Sequence, residues 1–250
     1  MRPQPVWRTL KVTITHLKGP VMSSSTTSAL HAEPRESATA HRIGLLAVVL
    51  AITSVTAVVG GVLWPEPSGG GETYAFADIA DQRELWWGLL TGLAICGILG
   101  TTLQAVAAMY LVRHRGSTWT TIGAVLLILG ITAQGVGVAG WAAAYFFPTD
   151  PSLDPTAGKL AFEAVNDNIG YIFAVMITGA ALAILGQIAQ AVGLLRAKVV
   201  PVWIPIGLMT AILTFLIPGN GVVGLITALP MAIAACALGW YAYRRAAAKP

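Results

Sequence analysis

The residues that could do chemistry in this chain are few, and they recur in one setting. Gln104, Gln134 and Gln190 each follow a glycine by four positions, in the strings ILGTTLQAV (98–106), ILGITAQGV (128–136) and ILGQIAQAV (184–192). Four residues make about one helical turn, so Gly100 and Gln104, Gly130 and Gln134, and Gly186 and Gln190 each share a helix face. Gln187 stands beside the last pair. All lie in apolar surroundings, where glycine lets two backbones approach and a glutamine amide seeks a partner on another helix. Gly100, Gln104, Gly130, Gln134, Gly186, Gln187 and Gln190 are therefore the candidate helix-packing or cavity-lining set. Coincidence in a chain rich in Ala, Ile, Leu, Gly and Val is the competing reading.

Other reactive types offer less. Cys96 and Cys236 fall in separate apolar segments without metal-ligand spacing and read as two buried thiols. His16, His31, His41 and His114 are scattered, so no metal site is expected. Asp78, Asp81, Glu84, Asp150, Asp154, Glu163 and Asp167 could attract cations, but a solvated acidic rim explains them equally. The 166–168 run, Asn-Asp-Asn, is a candidate helix cap. No GxSxG, HExxH, Walker or GxGxxG signature stands in a suitable context, so no catalytic residue and no cofactor is expected. Nucleic-acid binding has no support beyond the charge of the tails.

These residues must be positioned by membrane helices. Of 250 residues 56% are hydrophobic and only 10% charged, with mean hydropathy +0.72. Soluble domains carry about 25% charged residues. Apolar stretches at 43–64, 85–112, 119–147, 169–195, 199–217 and 222–243 predict an all-α bundle of six transmembrane helices. A signal peptide competes for the first, since Arg42 precedes it and Ala75-Phe76-Ala77 resembles a cleavage site. The 22-residue stretch exceeds a signal core of about 7–15 residues, which favours an uncleaved span. Residues 1–42 read as a flexible tail, with Met22 a candidate true start, and 244–250 as a short basic tail. Segment 157–165 could form amphipathic turns on the surface, and Pro230 should kink the last helix. Gly88 and Gly92 add a GxxxG step to the second span, whereas Gly60 lies outside the repeated string.

Charge sets the expected orientation. Both tails and the turns at 113–118 and 196–198 hold thirteen Lys/Arg and two Glu. The loops at 65–84 and 148–168 hold two basic and nine acidic residues. The positive-inside rule then places both termini in the cytoplasm of a bacterial cell. Trp64, Trp86, Trp87, Trp141, Tyr145 and Tyr171 should form the outer aromatic belt, and Trp119, Trp203, Trp240 and Tyr243 the inner one. No Asp, Glu, Lys, Arg or His lies inside a predicted span, which argues against ion-coupled transport.

The step Leu194-Leu195-Arg196-Ala197, followed by Val200-Pro201-Val202-Trp203, resembles uncharacterised six-span integral membrane proteins of actinobacterial type. The resemblance implies a compartment and a span number, and no catalytic residue. The expected function is that of a non-enzymatic membrane protein acting by helix packing, with the lipid bilayer, a second copy or another membrane protein as partner. The alternative is a passive or facilitated transporter of a small neutral or apolar solute, with the glutamines lining its cavity.

Overall fold

The computed structural model describes residues 33–64, 68, 73–216 and 221–248. The described residues form helices α1 (Glu33–Val62), α2 (Phe76–Ala80), α3 (Arg83–Leu111), α4 (Ser117–Phe146), α5 (Pro155–Asn168), α6 (Gly170–Ala197), α7 (Trp203–Met209), α8 (Ala211–Leu216) and α9 (Gly221–Ala247), with no strand among them. Five are long and apolar enough to cross a membrane: α3, α4, α6, α9 and the 38–62 part of α1. Helix α1 begins ten residues before the predicted span, so residues 33–42 are helical. The proposed start at Met22 and the tail before residue 33 lie outside the described residues.

The predicted fifth span, 199–217, differs most from expectation. It is two short helices separated at Thr210, whose hydroxyl and backbone N–H both donate to the Gly207 carbonyl. Those short-range bonds close a tight turn where the α-ladder would continue. Pro205 near the start of α7 costs little, since the first-turn donors have no intrahelical acceptor. Gly207 lets α7 press against α9: a Cβ there would stand 2.8 Å from the Ala234 Cβ and 3.3 Å from the Pro230 carbonyl oxygen.

Helices α1 and α9 run antiparallel, with Gly44 beside Tyr243 at one end and Gly61 beside Gly224 at the other. Helix α3 lies between this pair and α4. It meets α1 where Gly60 faces Leu93 and Gly100 faces Thr53, and meets α4 where Gly135 faces Ile98. The tightest contact joins α4 to α6. Gly116, Gly123, Gly130 and Gly137 on one side, and Gly179, Gly186 and Gly193 on the other, recur every seven residues. A seven-residue step keeps them on a single seam along each helix. A Cβ on Gly123 would lie 2.5 Å from the Gln190 nitrogen, one on Gly186 2.5 Å from the Leu127 nitrogen, and one on Gly179 2.5 Å from the Gln134 nitrogen. The two backbones therefore touch, and no side chain fits between them. At the end of the seam Gly116 adopts φ 91°, which the N-cap of α4 requires and which only glycine takes readily.

This arrangement corrects two readings of the glycines. Gly130 and Gly186 do mark close contacts, but each pairs within the seven-residue pattern and not with another copy of the repeated string. Gly60 is itself tightly packed, whereas Gly88 and Gly92 have open space over the backbone. Gly130→Leu or Gly186→Leu should therefore lower stability by more than the roughly 1–3 kcal/mol usual for overpacking, because backbone cannot yield. Gly100→Leu should cost less, since it meets a side chain, and Gly92→Leu should be nearly neutral. Thermal unfolding in detergent and in lipid checks the order; equal melting temperatures for Gly130→Leu and Gly92→Leu would refute the seam.

Candidate functional site

The three repeated strings contribute glutamines to one region. Gln104 of α3 reaches α6, where its Nε2 donates to Gln187 Oε1 at 3.1 Å and to Gln190 Oε1 at 2.9 Å. All three side chains are buried, Gln190 completely. The pairing follows from register, since Gln187 and Gln190 are three residues apart on one helix face and converge on a single amide. Three primary amides cannot satisfy one another, however. Gln187 Nε2 and Gln190 Nε2 are buried without a hydrogen-bond partner, as is Gln134 Oε1. A buried polar group left unpaired typically costs about 1–3 kcal/mol.

Gln104, Gln134 and Gln187 border a partly open cavity of about 320 Å³ lined by residues of α1, α3, α4, α6, α8 and α9. Its wall is mostly apolar, with Leu50, Leu93, Ile131, Val138, Met176 and Met231 prominent. Of the hydroxyls there, Thr53, Ser54, Thr214 and Thr227 donate to carbonyls of their own helices. Their protons are spent, so the amides are the main source of donors. Among the described residues no Asp, Glu, Lys, Arg or His lines the cavity. Cys96 lines it as a free thiol, and Gln190 lies behind the wall. Among the described residues no three His, Cys, Asp or Glu are grouped as metal ligands.

Two packed layers of different chemistry, a basic-end seal and an acidic-end seal, flank the cavity. At the basic end Leu50, Leu111, Leu194, Ile204, Leu208 and Leu238 form an aliphatic core, and Arg245 donates to the Leu111 carbonyl. The acidic end is aromatic. Tyr74, in the non-helical segment before α2, packs its ring 4.9 Å from Trp86 and 5.8 Å from both Trp141 and Tyr145. Trp64, which also lines the cavity, lies 5.7 Å from Trp141. Asn166 ties the group together: it accepts from the Tyr145 hydroxyl at 2.6 Å and donates to the Tyr74 carbonyl at 3.1 Å. Trp86, Trp141 and Tyr145 are thus buried and do not face lipid as a belt, while Tyr171 is 79% exposed. Trp119, Trp203 and Trp240 at the other end are exposed as an interfacial belt would be.

The surface over the aromatic seal is held by polar contacts. Asp154 caps α5 by accepting from the N–H groups of Thr156 and Ala157, and Phe162 on its inner face packs on Tyr145 at 4.8 Å. The amphipathic helix expected at 157–165 is therefore present and extends over the whole of α5. The 166–168 run ends that helix and does not cap α6, which has no side-chain cap. Arg83 joins Asp150 at 3.1 Å and the Phe146 carbonyl at 3.3 Å, beside a recess of about 260 Å³. The Ser152 hydroxyl and N–H, aided by Arg83, hold the Asp150 carboxyl below its usual value. At Asp78 slight burial opposes ionisation, but bonds from Ser68 and the Ala75 N–H outweigh it and lower the pKa.

Sequence reasoning therefore picked out the amides but missed the aromatic seal. The signal for Asn166 was present, though it read as a cap: a polar residue four places before the apolar helix α6. Asn166→Leu should remove both seal bonds, lowering stability by about 1–3 kcal/mol at roughly 0.5–1.5 each. Near-ultraviolet circular dichroism should report loosened aromatic packing; an unchanged spectrum and melting temperature would show that the latch bears no load.

The chain matches no family model, no curated protein and no solved structure.

Proposed function

We propose that this chain is a non-enzymatic protein of the bacterial cytoplasmic membrane that binds a small neutral solute inside its bundle and facilitates its passage. The observation that carries this reading is the cavity within the bundle bordered by Gln104, Gln134 and Gln187, with unpartnered amide atoms and no Asp, Glu, Lys, Arg or His among its described lining residues. Ligand sites are typically apolar concavities with a few convergent polar groups. An uncharged wall repels ions through the cost of desolvating them and accepts neutral molecules. Passage requires one seal to open at a time. The acidic-end seal is the better candidate, being built on a non-helical segment and two hydrogen bonds.

In this reading the chain crosses six times, with both termini cytoplasmic. The antiparallel run of α1 and α9 supports it, because α7 and α8 then lead from the basic end toward the acidic end, where α9 begins. Helices α7 and α8 would together supply the fifth crossing. A reporter fused after Lys249 should read cytoplasmic and one inserted at Gly70 external. An external C-terminus would sink the six-crossing topology.

A second reading, self-association or docking of another membrane protein, draws on Gly88 and Gly92, whose face of α3 is uncovered. Flux separates the two. Proteoliposomes challenged osmotically with butyramide should swell faster than protein-free vesicles, and Gln104→Leu should reduce that excess while the protein remains folded. A purified oligomer that adds no flux for any neutral solute favours the docking reading instead.

A further inference from the structure

Beyond neutrality, the cavity constrains the shape and polarity of what it holds; the inference rests on the solute-binding reading. We infer that its ligand is an amphipathic neutral molecule with one head group that both donates and accepts, a hydroxyl or a carboxamide. The head sits against Gln104 and Gln187 and the apolar body points toward the acidic end.

Three observations lead there. Polar capacity is concentrated at one level: Gln104 and Gln187 meet there, beside Gln190, and Gln187 Nε2 and Gln190 Nε2 are unpartnered. Rotating all three amides by half a turn exchanges N and O, yet still leaves unmatched amide groups. A head that only donates, or only accepts, would suit one orientation; a hydroxyl or carboxamide suits both. Second, the glutamines stand at the basic-end limit of the cavity, near Leu50 and Ala235 of the aliphatic seal. From there the wall passes Met231 and Leu93 and ends at Met176, Val138 and Trp64, beside the aromatic seal. Gln134 is the one amide along that path. Third, flexible thioethers such as those of Met176 and Met231 accommodate variable chains, and the hydroxyls of Thr53, Ser54 and Thr227 are turned back to their own helices. The upper cavity thus favours hydrocarbon. A polyol would leave most of its hydroxyls without donors or acceptors, and an ion would find no countercharge.

Photoaffinity labelling of the intact protein in lipid tests this. The probes are octanol, octanamide, octane, octylamine and octanoate, each bearing a diazirine near the tail and compared at equal bilayer concentration. Octanol and octanamide should give adducts on Met176, Met231 or Trp64, and moving the diazirine next to the head should shift adducts to the Gln104–Gln187 level. Gln104→Leu and Gln187→Leu should each lower octanol labelling of the cavity roughly threefold or more, as expected for losing one membrane hydrogen bond, while octane labelling stays constant and reports intact folding. Equal cavity labelling by octane and octanol in the wild-type protein would overturn the head-group inference and leave solute binding standing. Equal labelling by octylamine or octanoate would overturn neutrality. Adducts confined to lipid-facing residues for every probe would overturn both this inference and the solute-binding reading.

Discussion

The backbone contact between α4 and α6 is the constraint on which the rest depends. Glycines at seven-residue spacing let these helices touch along most of their length, where dispersion and close carbonyl contacts replace the hydrophobic effect that lipid cannot supply. The contact also fixes register. With Gly186 set against Leu127 and Gly179 against Gln134, Gln187 and Gln190 are carried to the level at which α3 presents Gln104. The amide cluster is therefore a product of the seam, and the cavity beside it is the space left where α1, α3 and α9 cannot approach as closely.

A bundle with one rigid pair and looser neighbours distributes its polar groups unevenly. Hydroxyls on α1 and α9 are satisfied within their helices, so those helices can meet through small residues such as Gly61 and Ala228 without a specific polar partner. The amides on α3, α4 and α6 are only partly satisfied. Membrane interiors offer no water to complete them, so any complementary molecule that reaches them gains more than it would from a solvated site.

Much of this was legible in the residues. Long apolar stretches identify the five long helices, within a few residues except at the start of α1, and the shared Gly–Gln spacing brings attention to amides that do meet. The glycine pairing was not legible from the repeated strings, because matching strings share composition, while contact depends on a seven-residue phase spread over two helices. Gly116 and Gly193 belong to that phase but lie outside every copy of the string. Hydropathy also could not reveal the break at Thr210, since residues 199–217 remain apolar throughout and the break comes from local hydrogen bonds to the Gly207 carbonyl. Aromatics were misplaced for a similar reason. Position near a span end is common to a lipid-facing belt and to a packed seal, and only Tyr74, in a loop distant in sequence, decides between them.

The break at Thr210 has a consequence for how the chain enters the bilayer. A transmembrane helix needs about 17–25 apolar residues, and α7 and α8 together with Thr210 fall short of that as a continuous rod. Such a segment has little tendency to partition into lipid alone during synthesis. It packs in part against α6, already made, but completes its packing only when α9 emerges, since Gly207 presses on α9 and Ile204 and Leu208 join the core that α9 shares. In the proposed topology the last two crossings would then integrate as a hairpin after the first four are in place, and truncation before α9 would strand residues 203–216 at the membrane surface.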